Sequence, residues 1–397
     1  MRADRLRVLR VITRLNIGGP AREVGALCRL AAAHGVSTLL AAGRSAAREG
    51  DLFESLDTGS AAKVRVQGLE RRLDPLADLR ALCALARLIR RFRPQIVHTH
   101  LSKAGALGRM AAWTLGVPVI CHTYHGHVLC GHFGAAASVG IRLVERILGR
   151  LSDAVIALGP AGARALSQLG IGRRVVIVPP GFDPAWLAGL ARADREACRG
   201  ELDVAGERPV LLALGRLARV KGLDLLLEAV AHLVRDGVRL RLLVAGDGPE
   251  RPRLEARAAR LGLAGVVRFL GWRTDTATLL AAADLLVLPS RSEGYPHAIV
   301  EARAAGLAVV ATAVGEVPAM LAGDPSGFLV AAARVEALHE RLAPLLADRD
   351  RIATWRAGRR PLPSAPAPTE AAMAARTCTL YRELLGGAAR CAGGGAP

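Results

Sequence analysis

Short apolar runs alternate along the chain with stretches in which apolar residues recur every three or four positions. The short runs are rich in Val, Leu and Ile. In the first half they predict buried strands over Arg7–Thr13, Ser37–Ala42, Val64–Gln67, Ile96–His100, Val117–His122, Ala154–Ala157 and Val175–Val178. The helical period between them predicts helices over Ala21–His34, Leu76–Phe92, Gly105–Leu115 and Ile141–Leu151. That alternation is βαβ logic and implies a parallel sheet with helices on its faces. Asp183–Pro209 is irregular and charged and reads as a hinge, after which the pattern restarts. Strands are expected over Val210–Ala213, Leu240–Ala245, Val266–Leu270, Leu285–Pro289, Ala308–Thr312 and Gly327–Val330, with helices over Leu223–Arg235, Pro249–Leu261 and Thr276–Ala282. Two doubly wound units joined by one hinge leave a cleft, a common place for a ligand.

After Leu346 the period fades. Arg351–Arg360 is basic, and Pro361–Pro368 (PLPSAPAP) reads as a stiff, extended linker. A last helix over Ala371–Leu385 is expected to end at Gly386-Gly387. The expected division is an N-terminal domain over 1–185, a second over 186–360, a linker and terminal helix over 361–387, and a disordered tail over 388–397. At 397 residues the chain exceeds what one core usually holds, which agrees with two domains.

Composition changes this picture in three places. Half the residues are apolar but only 3% are aromatic, so surfaces for stacking nucleic-acid bases are scarce and no nucleic-acid partner is expected. The formal charge of +19 is nearly all arginine, lysine occurring only at Lys63, Lys103 and Lys221. Such an excess draws anionic partners: phosphorylated substrates, acidic lipid headgroups or nucleic acid. The 7 cysteines are odd in number and scattered, which favours reduced thiols and a cytoplasmic setting. The basic N-terminus lacks an uninterrupted apolar core and does not read as a signal peptide, and no stretch is clean enough to span a membrane.

The most informative stretch is Pro289–Gly306, PSRSEGYPHAIVEARAAG, where a strand runs through a polar turn into a helix that Pro296 would open. Unpaired N–H groups at such a turn suit phosphates and sugars. Glu293 and Glu301 frame it, and a carboxylate can accept two hydroxyl hydrogen bonds at once. Gly18-Gly19 makes a second turn, at the end of the first strand, where backbone can approach a ligand closely. There is no G-x-G-x-x-G and no Walker motif. Six of the 10 histidines fall between His98 and His132, with Cys among them. No carboxylate accompanies that tract and its spacing fits no zinc module, so no metal is expected.

In the context S-E-G-Y-P-x-x-x-x-E-A, Glu293 and Glu301 resemble the E-x7-E signature of the retaining glycosyltransferases of family 4. Leu214-Gly-Arg216-Leu-Ala-Arg-Val-Lys221-Gly222 resembles the family's G-R-x-x-x-x-K-G loop, and the Gly18-Gly19 turn its first-domain glycine loop. The tract Val97–Gly108 with Thr123-Tyr-His125-Gly126 is similar to its first-domain ligand region. The likeness covers roughly residues 6–332 and implies the GT-B architecture: α/β, two Rossmann-like doubly wound parallel-sheet domains facing a central cleft. It further implies that Arg216 and Lys221 clamp the donor diphosphate, that Glu301 binds the ribose, and that Glu293, Gly294, Tyr295, Pro296 and His125 lie by the sugar. Trp272 and Arg273 would fall near the nucleobase, and TLYRELL would belong to a terminal helix that braces the first domain. His122 and His127 read as structural or rim residues. The sequence departs from the family at Glu316, where a glycine is usual, at Ala319, where a glutamate is usual, and at His297, where asparagine is common.

The implied activity is metal-independent, retaining transfer from a nucleotide sugar, a UDP-sugar by preference, to a lipid-linked, saccharide or small-molecule acceptor. It needs no cofactor beyond that donor. The rival readings are a sugar-nucleotide epimerase of the same shape and a non-catalytic basic binding protein. Asp78–Arg93 and Ile141–Arg150 are basic amphipathic segments that suit an anionic membrane surface as well as a solvated helix face.

Overall fold

The computed structural model describes residues 5–46, 50–72, 74–126, 135–190, 192–357 and 367–393. His127, most of the proline-rich linker (361–366) and the last four residues lie outside them. The chain forms two compact units, Met1–Gly181 with Pro368–Pro397, and Phe182–Ala367.

The first unit runs β1 (Leu6–Ile12), α1 (Gly19–Ala31), β2 (Val36–Ala42), β3 (Ala62–Arg65), α2 (Pro75–Phe92), β4 (Ile96–His100) and α3 (Ser102–Thr114). It continues with β5 (Val119–Tyr124), α4 (Ala135–Arg150), β6 (Ala154–Ala157), α5 (Pro160–Gln168) and β7 (Val175–Ile177). The strands pair in parallel in the order β3-β2-β1-β4-β5-β6-β7. Ile12 stands opposite His100, and His100 opposite Thr123, so the carboxyl ends of β1, β4 and β5 are level. Both sheet faces are covered: Val8, Ile96, Val119 and Ile156 pack in one cluster, Leu9, Val11, Val97 and Ile120 in the other. Burial on both faces is why these strands read as continuous apolar runs.

In the second unit come α6 (Pro184–Leu190), α7 (Arg195–Glu201), β8 (Val210–Leu214), α8 (Leu223–Arg235), β9 (Arg241–Ala245), α9 (Arg251–Arg260) and β10 (Val267–Gly271). These are followed by α10 (Thr276–Ala282), β11 (Leu285–Leu288), α11 (His297–Ala304), β12 (Ala308–Thr312), α12 (Val317–Met320), β13 (Gly327–Val330), α13 (Val335–Ala347) and α14 (Arg349–Ala357). This sheet is also parallel, in the order β10-β9-β8-β11-β12-β13. The two sheets bear out the doubly wound α/β architecture.

Three expectations need correction. The segment Asp183–Pro209 is no irregular hinge, for it carries α6 and α7 and belongs to the second unit. Asp194 caps α7 by accepting from the amides of Glu196 and Ala197, and Leu190, Cys198, Leu202 and Val204 join the core. Most of its charged residues are exposed, Arg199 being buried, and they mask the apolar ones in a linear reading. The basic stretch after Leu346 includes the helix α14, whose Ile352 is buried. The terminal helix, α15 (Glu370–Gly393), does not stop at Gly386-Gly387 but runs on through Gly393, so the first part of the expected disordered tail is helical. Two glycines cost a helix only about 1 kcal/mol each.

The packed part of α15 lies in the first unit, where Met373, Ala374, Cys378, Leu380 and Tyr381 join the cluster of Val8 and Ile96. The Tyr381 hydroxyl accepts from Arg10 at 2.9 Å and lies 2.6 Å from His98 Nδ1. Arg10 is fully buried, and these are uncharged partners.

Candidate active site

Each sheet reverses its strand order once, between β1 and β4 in the first unit and between β8 and β11 in the second. In open parallel sheets, ligands bind beyond the carboxyl ends of the strands at such a reversal. In the second unit the segments leaving β8 and β11 are the Gly215–Gly222 and Ser290–Pro296 loops, and they meet there.

Backbone geometry brings them together. Gly222 sits at a φ of +64° with its Cα against the Pro289 carbonyl, where an added Cβ would stand 2.1 Å from the oxygen. Only glycine accepts both constraints. The Arg291 amide donates to the Val220 carbonyl at 2.8 Å. The Arg291 guanidinium forks onto Asp224 at 2.6 and 2.7 Å and donates to the Arg219 carbonyl at 2.9 Å. Burial pushes the Asp224 carboxyl up, but the Arg291 fork outweighs it and leaves the group below its ordinary range.

So fastened, the two loops put Lys221 Nζ 2.7 Å from Glu293 Oε1. The Ser290 hydroxyl donates to the same oxygen at 2.6 Å, and Thr312 Oγ1 donates to the Ser290 carbonyl at 2.5 Å. Gly315 closes on the Glu293 carbonyl from the far side, at a φ of +57°, where a Cβ would lie 2.0 Å from the oxygen. Arg216 lines the same recess as Lys221, with Gly215 and Pro289. Glu293 is buried, and the Lys221 side chain is 24% exposed. An ammonium thus stands beside a carboxylate whose orientation a serine hydroxyl sets, with Arg216 on the same loop. An ammonium attracts an anion, and a carboxylate accepts hydroxyl hydrogen bonds.

The remaining second-unit candidates are spread along the same edge. Gly294 accepts from the Glu316 amide at 3.2 Å. Tyr295 is half-buried, and burial together with the Glu316 charge pushes its hydroxyl pKa up. Pro296 does not open α11 as its first helical residue; it is the extended residue just before it. Glu301 is buried on α11. Trp272 and Arg273 follow β10, the edge strand, with β9 and β8 between it and β11. The Arg273 guanidinium is held by Asp275 at 2.7 Å and Glu201 at 3.0 Å, so Lys221 and Glu293 are not its neighbours in the sheet order. Sequence reasoning passed over Ser290, Thr312 and the Arg291–Asp224 pair. The signal for Ser290, a hydroxyl three residues before Glu293, was present in the motif itself.

Gly18, Gly19 and His125 belong to the first unit. Gly18 caps α1, which Gly19 opens, and His125 follows β5. His122 is buried and bonded to Thr99 Oγ1 at 2.8 Å. Burial, with nearby Arg109, pushes its pKa well below the ordinary histidine value. That is a structural residue's setting. One premise of the metal argument fails: a carboxylate does accompany the histidines. Glu23 of α1 places Oε2 3.5 Å from His125 Nδ1. It is remote in sequence from the histidine tract, so inspection of the tract alone could not find it.

The comparisons follow the same division. A family model described as glycosyl transferases group 1 matches residues 194–360, and one described as a glycosyl transferase 4-like domain matches residues 18–181. A D-inositol 3-phosphate glycosyltransferase of Segniliparus rotundus is 33% identical over 283 residues, covering 67% of this chain and 62% of the relative. A UDP-Gal:alpha-D-GlcNAc-diphosphoundecaprenol alpha-1,3-galactosyltransferase of Escherichia coli is 28% identical, covering 71% of this chain and 73% of the relative. The chain spans about three fifths (60–62%) of the length of the first curated relatives it matches. Among solved structures, a sucrose-phosphate synthase from Thermosynechococcus elongatus superposes with a TM-score of 0.75 at 21% identity, covering 96% of this chain and 100% of that one. That likeness speaks for the fold alone. With both of its units matched in sequence order, the chain belongs to glycosyltransferase family 4 and has the GT-B fold.

Proposed function

We propose that this protein transfers a sugar, with retention of configuration, from a UDP-sugar to a lipid-linked or saccharide acceptor in cell-envelope or glycolipid synthesis. The observation that carries the reading is the pairing of Lys221 with Glu293 at 2.7 Å, beside Arg216, at the strand-order reversal of the second sheet. Departure of a nucleoside diphosphate builds charge on its phosphate oxygens, and preorganised cations lower that barrier. Arg216 and Lys221 supply those cations, so the transfer step needs no metal. Glu301 takes the ribose and Glu293 the sugar hydroxyls. The resemblance carries a sugar contact to His125 and close backbone approach to Gly18 and Gly19. A front-side reaction, in which the leaving phosphate takes the acceptor's proton, needs no enzymic nucleophile. The UDP preference rests on the name of the Escherichia coli relative.

Thermal melting with UDP, GDP and ADP in turn tests this. A ligand present at a hundred times its dissociation constant stabilises by about 2.7 kcal/mol. A rise in melting temperature with UDP and not with the others is expected, whereas no rise with any of the three would sink the donor assignment.

A second reading, peripheral attachment to an anionic membrane, has its own observation. On α4 the buried positions include Glu145, held by Arg109 at 2.8 Å and by the Tyr124 hydroxyl at 2.6 Å. Val139, Leu143, Val144 and Ile147 of the same helix are more than half exposed. The helix therefore turns a carboxylate inward and an apolar stripe outward, with Arg142, Arg146 and Arg150 along its length. Such a face suits the boundary between headgroups and acyl chains. No helix among the described residues is long and apolar enough to cross a membrane. In flotation assays the protein should follow phosphatidylglycerol vesicles over phosphatidylcholine ones. Leu143→Gln with Ile147→Gln should lower binding at least tenfold, because each apolar side chain withdrawn from water contributes about 1.5–3 kcal/mol. Equal partition onto both vesicle types counts against attachment.

A further inference from the structure

At the strand-order reversal of the first sheet, a row of buried polar side chains gathers from three elements. Glu23 comes from α1, His98 and His100 from β4, and His125 follows β5. Glu23, His98 and His100 are buried, and the His125 side chain is 5% exposed. His100 Nδ1 lies 3.0 Å from His125 Nε2, and His125 Nδ1 lies 3.5 Å from Glu23 Oε2. His98 Nδ1 faces Arg10 Nη1 at 3.1 Å and the Tyr381 hydroxyl at 2.6 Å, and its Nε2 lies 2.8 Å from Thr123 Oγ1.

A neutral imidazole carries one hydrogen, and its neighbours choose which nitrogen holds it. Burial holds the His98 and His100 pKa values well below the ordinary one, so both rings are neutral. A guanidinium only donates. Beside Arg10 the bare nitrogen of His98 is therefore Nδ1, and its hydrogen sits on Nε2, directed at Thr123. A carboxylate only accepts. A bare His125 Nδ1 would set a lone pair against the Glu23 carboxylate in a buried site, so the His125 hydrogen belongs on Nδ1. His125 Nε2 is then bare and accepts from His100 Nδ1–H across the 3.0 Å contact. The same assignment accounts for the two buried atoms of the row that lack a hydrogen-bond partner, Glu23 Oε2 and His100 Nε2. His100 Nε2 is left as a lone pair and not as a buried N–H, and a small rotation of the Glu23 side chain brings its Oε2 onto His125 Nδ1–H.

We propose that Glu23 is the positioning residue of His125, fixing the imidazole with its hydrogen on Nδ1 and its lone pair on Nε2. The opposite tautomers of His98 and His125 follow from the opposite charges of Arg10 and Glu23. The nitrogen that His125 keeps free of hydrogen is an acceptor, which suits a hydroxyl and repels a phosphate oxygen. Under the proposed transfer, on which this step rests, His125 accepts from a hydroxyl of the donor sugar and makes no bond to the diphosphate. The tautomer itself is set by residues of the first unit alone and does not depend on that reading.

Nuclear magnetic resonance of the full-length protein, with heavy nitrogen in its histidine rings and in mildly alkaline solution, reads the tautomer directly. The His125 signals are identified by their loss in His125→Asn. The expected spectrum has the hydrogen on Nδ1 and a bare Nε2. Glu23→Met keeps the length of the side chain and its burial but removes the acceptor oxygens. It should move the His125 hydrogen largely to Nε2 while keeping the wild-type circular dichroism. Calorimetric titration then compares UDP with UDP-galactose. Glu23→Met should weaken UDP-galactose roughly tenfold, the scale of one hydrogen bond, and leave UDP unchanged. A hydrogen on Nε2 of His125 in the wild type, or the same tautomer in Glu23→Met, overturns the proposal. UDP-galactose affinity that stays unchanged, or that falls together with UDP affinity, overturns the sugar contact. A wild type that binds neither ligand sinks the donor assignment instead, and the tautomer still decides on Glu23.

Discussion

Lys221→Ala is expected to abolish the thermal shift given by a nucleoside diphosphate and to weaken that ligand's binding by roughly ten- to a hundredfold. The scale follows from hydrogen bonds to charged groups, which contribute about 1.5–3 kcal/mol each, at 1.4 kcal/mol per factor of ten. The melting temperature without ligand should move less, because Lys221 is partly open to solvent and the Ser290 hydroxyl still donates to the Glu293 carboxylate. That split between ligand response and intrinsic stability separates a phosphate clamp from a structural ion pair. Lys221→Arg should retain much of the affinity, since the charge stays, though a planar fork replaces a point charge. Calorimetric titration of both variants with UDP measures it. Wild-type affinity in Lys221→Ala would remove Lys221 from the clamp.

Asp284→Asn is expected to be the more damaging change for the fold, by about 3–5 kcal/mol, the usual cost of leaving a buried charge unpaired. Asp284 is buried ahead of β11, and three guanidinium groups converge on it: Arg195 at 2.6 Å, Arg356 at 2.9 Å and Arg199 at 3.6 Å. Its other oxygen accepts the Val210 amide at 2.8 Å, so the group joins α7, α14, β8 and β11. Arg199 is itself 1% exposed, and burial lowers its pKa despite the nearby carboxylate. Without that charge it would be a buried cation among carbonyls. Burial pushes the Asp284 carboxyl up, but the Arg356 hydrogen bond, the Arg195 charge and the Val210 amide outweigh it, and the pKa lies below the ordinary value. Its contribution is therefore complete above the unfolded aspartate value near 3.9 and is lost as pH falls through the lower folded value. Denaturant melts at neutral pH should show the full loss, with variant and wild type converging as the solution is acidified below that range. A constant difference across the acid limb would contradict the charge argument.

The division into two parallel α/β units, the position of most strands along the chain and the two loops that meet at the strand-order reversal of the second sheet were legible in the chain. Strands such as Ala154–Ala157 and Ala308–Thr312 fall where the apolar runs place them, because a strand buried on both faces is predominantly apolar. The helix Leu223–Arg235 shows the complementary case, its period being the helical one. The R-x4-K and E-x7-E spacings were legible because each lies within one strand–loop–helix segment. The reading failed at α7 and α14, where local charge overrode the period, and at α6, which is only 7 residues long. Those helices bury few residues each and rely on packing partners far along the chain.

Sequence by itself therefore determined the architecture and the residue types at the loop ends, since periodicity and turn chemistry act between neighbours in the chain. Only the tertiary structure decided which polar groups meet. Lys221 and Glu293 are 72 residues apart, Arg10 and Tyr381 are 371 apart, and Glu23 reaches His125 from a helix the histidine tract does not contain. Buried polar groups must find partners, and folding chooses those partners by distance in space, which no local pattern encodes.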